Sequence, residues 1–217
     1  LRLQNNASLI RQVCFKIAAN GLGLAVRAGI KVLKLIKDMK QNLFDTVEQS
    51  SVSLPCGKPL LNAGAEFSEC RQYRYALWRI WDISKPLIMF VGLNPSTANE
   101  TEADPTIRSV CRIAKHNGYG GAFMLNCFPF VSTDPKGLRI DFESTRKNDW
   151  WLYEVSSICN EVVFAWGNFQ VVKDNGRDVQ LSRMFPNAKA LSINKNGSPK
   201  HPLYCRTDSE LLMFAGR

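Results

Sequence analysis

The chain has 217 residues, a formal net charge of +9, 45% hydrophobic residues and 22% charged residues. That balance excludes a disordered chain, and the length suits one α/β domain or one domain with an extension. No run of eighteen or more uncharged apolar residues occurs, which excludes a membrane-spanning helix, and the basic excess invites a nucleic-acid partner.

Seven cysteines are scattered along the chain and never form a Cys-x-x-Cys pair. This argues against a disulfide scaffold and a zinc ribbon, and it points to a cytoplasmic protein. With His116 and His201 the only histidines, a histidine-rich metal site is not expected. No metal or cofactor is called for.

Residues 1–38 hold seven basic residues and one acidic residue, Asp38, so six of the nine units of charge lie there. Arg27, Lys31 and Lys34 recur at helical spacing among apolar residues, the pattern of a basic amphipathic segment. Such a segment suits a targeting peptide, a membrane-surface or partner helix, an ordinary packed helix, or non-native sequence upstream of a start at Met39. Residues 39–69, with Pro55, Gly57, Pro59 and Gly64, read as a loop-rich lead-in. Gln41 to Phe44 faintly resembles a sliding-clamp binding peptide. Residues 70–217 then form a single α/β domain.

Within that domain, 73–81 is rich in aromatic and branched residues and predicts a strand. The apolar run 87–91 predicts a strand buried on both faces. Asp104-Pro105-Thr106 is a helix start, with Asp as N-cap and Pro in the first turn, and Gly118 or Gly120 ends the helix. Further buried strands are predicted at 122–125, 162–165 and 188–193, with helices near 144–159 and 177–185. The alternation predicts a three-layer α/β/α sandwich with a mostly parallel central sheet.

In such sheets ligands bind at the carboxyl ends of the strands. Four strand ends carry distinctive clusters: GLNPS at 92–96, NCFPF at 126–130, WGN at 166–168 and SPKHPL at 198–203. Each alone is an ordinary turn. Together, in consistent positions, they predict one site at one rim.

The core, roughly 70–205, resembles the DUF1643 family of domains of unknown function. The matching residues are CRQYRY at 70–75, LNPSTA at 93–98, ADPTIR at 103–108, NGYGG at 117–121, AWG at 165–167 and HPLY at 201–204. The motif order is also similar, more distantly, to that of the uracil-DNA glycosylase superfamily. That resemblance implies the same sandwich, a water-positioning loop at Asn94, a base-reading Asn126, a strand ending in Trp166-Gly167, and a base-contacting His201. Three departures stand out: Asn94 takes the place of an Asp, Ser96-Thr97 replaces the Gly or Tyr that usually follows the Pro, and the His-Pro loop continues as Leu203-Tyr204. A modified or unusual base is therefore favoured over uracil.

The chemistry assigns roles to residues. Asn94, His201 and Asp104 are the candidate catalytic groups: a water holder, a donor to the leaving base, and a carboxylate base that also caps its helix. Asn126, Phe128 and Trp166 are candidates for reading and stacking the base. Ser96, Thr97, Arg108, Ser198 and Lys200 are candidates for backbone or phosphate contacts. The expected function is hydrolysis of an N-glycosidic bond in DNA or a nucleotide. The alternative is a module that binds a base, nucleotide or nucleic acid without turnover. A third class, a protein-interaction or inhibitor protein, rests only on the basic N-terminal segment.

Overall fold

A computed structural model describes residues 53–54, 56–57, 60–134 and 137–215. The basic segment 1–38, the start at Met39 and the peptide 41–44 lie outside the described residues. In chain order the elements are β1 (Ala63–Phe67), β2 (Arg74–Ile80), β3 (Leu87–Gly92), α1 (Pro105–His116), β4 (Gly121–Asn126), α2 (Phe142–Ser157), β5 (Glu161–Phe164), α3 (Gln170–Asp174), α4 (Arg177–Met184), β6 (Lys189–Ala190), a 3-10 turn (Pro202–Tyr204) and β7 (Leu212–Met213).

The seven strands form one sheet in the order β1-β2-β4-β3-β5-β6-β7. The neighbours β4–β3, β3–β5 and β5–β6 are parallel, whereas β1–β2, β2–β4 and β6–β7 are antiparallel. The sheet is therefore mixed, which corrects the expectation of a mostly parallel one. The physical reason lies at the edges. The hairpin β1–β2 joins the sheet through β4, not through β3, and β7 returns against β6. β1 also falls inside the stretch expected to be a loop-rich lead-in, and β6 is two residues long where six were expected.

Alternation along the central strands divides the core between two faces. Leu87, Met89 and Val91 of β3 join one cluster with Trp151, Leu152 and Val155 of α2. Ile88 and Phe90 point the other way and join Ile107, Val110 and Ile113 of α1. Helices thus cover both faces of an α/β sheet, and each fully buried Leu, Ile or Phe contributes roughly 1.5–3 kcal/mol. Asp104 caps α1 as its sequence predicts: the carboxylate accepts from the Ile107 N–H at 2.8 Å, and Pro105 follows. Among the described residues no helix is long and apolar enough to cross a membrane.

Candidate functional site

The parallel pairing of β3 with β4 sets Gly92 beside Asn126, so both strands end at the same level. Beyond them lies a cavity of about 150 Å³. Its wall includes Asn94 and Ser96 from the loop after β3, Asp104 at the start of α1, Asn126 at the end of β4, and His201 before the 3-10 turn. Five residues drawn from four strand-end or helix-start segments meet there.

Asn126 is almost wholly buried, and neither its Nδ2 nor its Oδ1 has a hydrogen-bond partner. The backbone that carries it is held firmly. Asn148 of α2 donates to the Asn126 carbonyl at 2.9 Å, and Arg177 Nε of α4 donates to the Cys127 carbonyl at 2.9 Å. Arg177 also pairs with Asp149. Gly92 leaves room for the amide: a Cβ there would lie 3.0 Å from Asn126 Oδ1 and 2.4 Å from Met124 Cε.

Asn94 is anchored by its nitrogen. Nδ2 donates to the Pro95 carbonyl at 3.0 Å and the Ser132 carbonyl at 2.8 Å. Oδ1 is the amide atom these bonds leave unused. Ser96 donates its hydroxyl to Asp104 Oδ2, so each Asp104 oxygen already accepts one bond. A carboxylate oxygen has two lone pairs, which leaves each one able to accept again.

His201 Nδ1 accepts from the Leu203 N–H at 3.4 Å. In the neutral ring the proton then sits on Nε2, which makes that atom a donor. Burial pulls the imidazole below its ordinary value, partly offset by the Asp104 charge. Gly167, at φ +82°, lets the neighbouring strand end pass close: a Cβ there would stand 3.3 Å from His201 Cβ.

Six predicted site residues find different places. Phe128 is buried in the cluster under α2, away from the cavity, and packs as core. Trp166 is also buried there, against Phe164 at 4.6 Å between ring centroids. Trp166 and Ser198 line a second cavity of about 300 Å³, with Lys173, Arg183 and Phe214. Thr97 and Arg108 are exposed and Lys200 is half-buried, none of them at either cavity. Arg108 instead donates to the Ala103 carbonyl at 2.5 Å.

Phe169 and Arg74 are among the lining residues of the first cavity that sequence reasoning did not place in the site. Phe169, 38% exposed, also lines the second cavity and offers the aromatic face expected of Phe128 or Trp166. It follows directly on the Trp-Gly-Asn cluster, and that adjacency was the available signal. Arg74 is buried on β2, with Nη1 donating to the Ala98 carbonyl at 2.6 Å and Nε unpartnered. Among the described residues no group of three or more His, Cys, Asp or Glu side chains is placed to hold a metal.

Searches of curated proteins and of solved structures returned no match. A family model does match, over residues 74–203, and it spans β2 through the His201 loop and so every wall of the cavity named above. By that match over more than half its length, the chain belongs to the family described as "Protein of unknown function (DUF1643)".

Proposed function

We propose that the 150 Å³ cavity holds a single base and that the protein hydrolyses the N-glycosidic bond joining it to its sugar, in DNA or a nucleotide. One observation carries the reading: the buried Asn126 amide has neither its donor nor its acceptor satisfied. Leaving such a group unmade costs about 1–3 kcal/mol, and a ligand that restores the bonds recovers it. A side-chain amide offers a donor beside an acceptor, and the edge of a base offers the complement. The volume lies below the roughly 300–1,000 Å³ typical of drug-sized ligands, which suits one ring system rather than a whole nucleotide.

The residues around the base then divide the work. Asn94 Oδ1 orients a water toward the anomeric carbon. Asp104 accepts a proton from that water as its oxygen bonds to the carbon. The electron pair of the breaking C–N bond passes to the base, and His201 Nε2–H donates to the charge that develops there. Phe169 supplies the stacking face.

The test is release of free base from oligonucleotides and nucleosides bearing uracil and a set of modified bases. Release by the full chain, lost in Asn126→Ala and Asp104→Asn, is the expected result. Tight binding of the same substrates with no release supports the second reading, a binding module. That reading draws on the two bonds Asp104 already accepts, from Ser96 and Ile107. Neither binding nor release across the panel overturns both.

A further inference from the structure

Among the described residues, Arg74 is the one buried cation in the wall of the Asn126 cavity, and it is underused. Its Nη1 donates to the Ala98 carbonyl, its Nε has no partner, and among the described residues no carboxylate comes within ion-pair distance. Burial lowers its pKa to about 10, with Asp104 acting in the opposite direction through space and Arg79 reinforcing the fall. It therefore remains charged at neutral pH. A buried charge without a contacting counter-ion costs several kcal/mol.

A purely structural role does not account for that cost. The loop that Arg74 holds through Ala98 is also held by Arg79, which donates to the Asn99 carbonyl at 2.7 Å. Arg79 lies outside the cavity, while Arg74, with its Nε unpartnered, lines it together with Asn126, whose two amide atoms are both unpartnered. Two buried side chains with unsatisfied polar atoms on one small cavity, the neutral Asn126 amide and the Arg74 guanidinium with its free Nε, describe a ligand with two features. It has an amide-like edge, and it has an acceptor able to carry negative charge.

We propose that Arg74 selects an electron-poor or oxidised heterocycle that is ionised when free, so that the site prefers an anionic base over a neutral one of the same size. This rests on the base-binding reading above and narrows its substrate class. It also gives the leaving base a fixed cation beside the neutral His201 donor.

The experiment is calorimetric titration of the full chain at neutral pH with three probes. 5-Nitrouracil is ionised, thymine is neutral and of similar size, and benzoate is an anion without a base edge. The expected result is binding of 5-nitrouracil about tenfold or more tighter than thymine, as one charged hydrogen bond would give. Thymine binding as tightly as 5-nitrouracil overturns the proposal and leaves the base reading intact. Benzoate binding as well as 5-nitrouracil, with thymine unbound, supports the cation and overturns the base reading. No binding of any probe overturns both. The wild-type comparison needs no variant. Arg74→Lys is expected to keep part of the preference and Arg74→Gln to abolish it, each checked for folding by its melting curve.

Discussion

The Asn94 amide nitrogen donates to the Ser132 carbonyl at 2.8 Å, tying the loop after β3 to the loop after β4 across 38 residues of chain. The bond settles which end of the amide faces which neighbour. It also means that Asn94 is not a degraded aspartate. An aspartate there would set a carboxylate oxygen against the Pro95 and Ser132 carbonyls. Asn94→Asp is therefore expected to lose about 1–3 kcal/mol of stability and to gain no activity. Chemical denaturation beside a base-release assay checks both halves.

Asn126→Ala is expected to separate stability from function. Truncation removes two unsatisfied buried atoms, so the usual cost of emptying a core site is offset. Stability should stay within about 1 kcal/mol of the parent. Base release or base binding should fall by about 100-fold or more, comparable with the loss of one well-placed donor at other sites. A large drop in melting temperature would show that the amide is structural.

The pH dependence of stability should carry a signature of His201. Burial holds its folded pKa below the ordinary 6.5, so the unfolded chain takes up the proton first. Above about pH 6.5 both states are neutral and the residue imposes no penalty. As the pH falls below that value, stability falls with it, until the folded form protonates as well. His201→Gln should flatten this part of the profile between pH 5 and 7, measured as the difference in unfolding free energy between the two proteins. Unchanged slopes would place the proton uptake elsewhere.

Gly167→Ala tests the packing behind the histidine. At φ +82° any side chain is strained, and the added methyl would stand 3.3 Å from His201 Cβ and 3.4 Å from the Phe169 ring. A loss of about 1–2 kcal/mol is expected. Activity should fall by more than the stability change explains, because both displaced neighbours line the cavity. Activity assayed well below the melting temperature distinguishes the two effects.

Arg177→Met should be among the most damaging changes away from the cavity. It removes a buried bond to the Cys127 carbonyl and leaves Asp149 without its cation. Asp149 is 22% exposed, so the loss should lie near the lower end of the usual range, about 3 kcal/mol. Asp149→Asn, which keeps the side-chain shape, an acceptor oxygen for Arg177 and the Arg177–Cys127 bond, should cost less. Paired melting curves give the comparison.

Much of this was legible in the apolar runs and the residues that end them. The strands at 87–92 and 121–126 are continuous and buried, so their ends could be located and Asn94 and Asn126 brought to one rim. Asp104 announced itself through Asp-Pro at a helix start. What alternation also encodes, but a run of apolar letters hides, is the face. Asn126 shares its parity in β4 with Met124, on the α1 side, whereas Trp166 follows Phe164 on the opposite side. A shift of one residue at a strand end turns a stacking platform into core. Arg74 could not be foreseen for a different reason. Nothing local distinguishes an arginine that reaches solvent from one buried by its sheet neighbours. The antiparallel edges were hidden likewise, since β1 is a five-residue stretch with two alanines and a glycine.

Phe169 forms part of the wall of both cavities. The two cavities therefore share one aromatic side chain, and a substitution at Phe169 alters the lining of both at once.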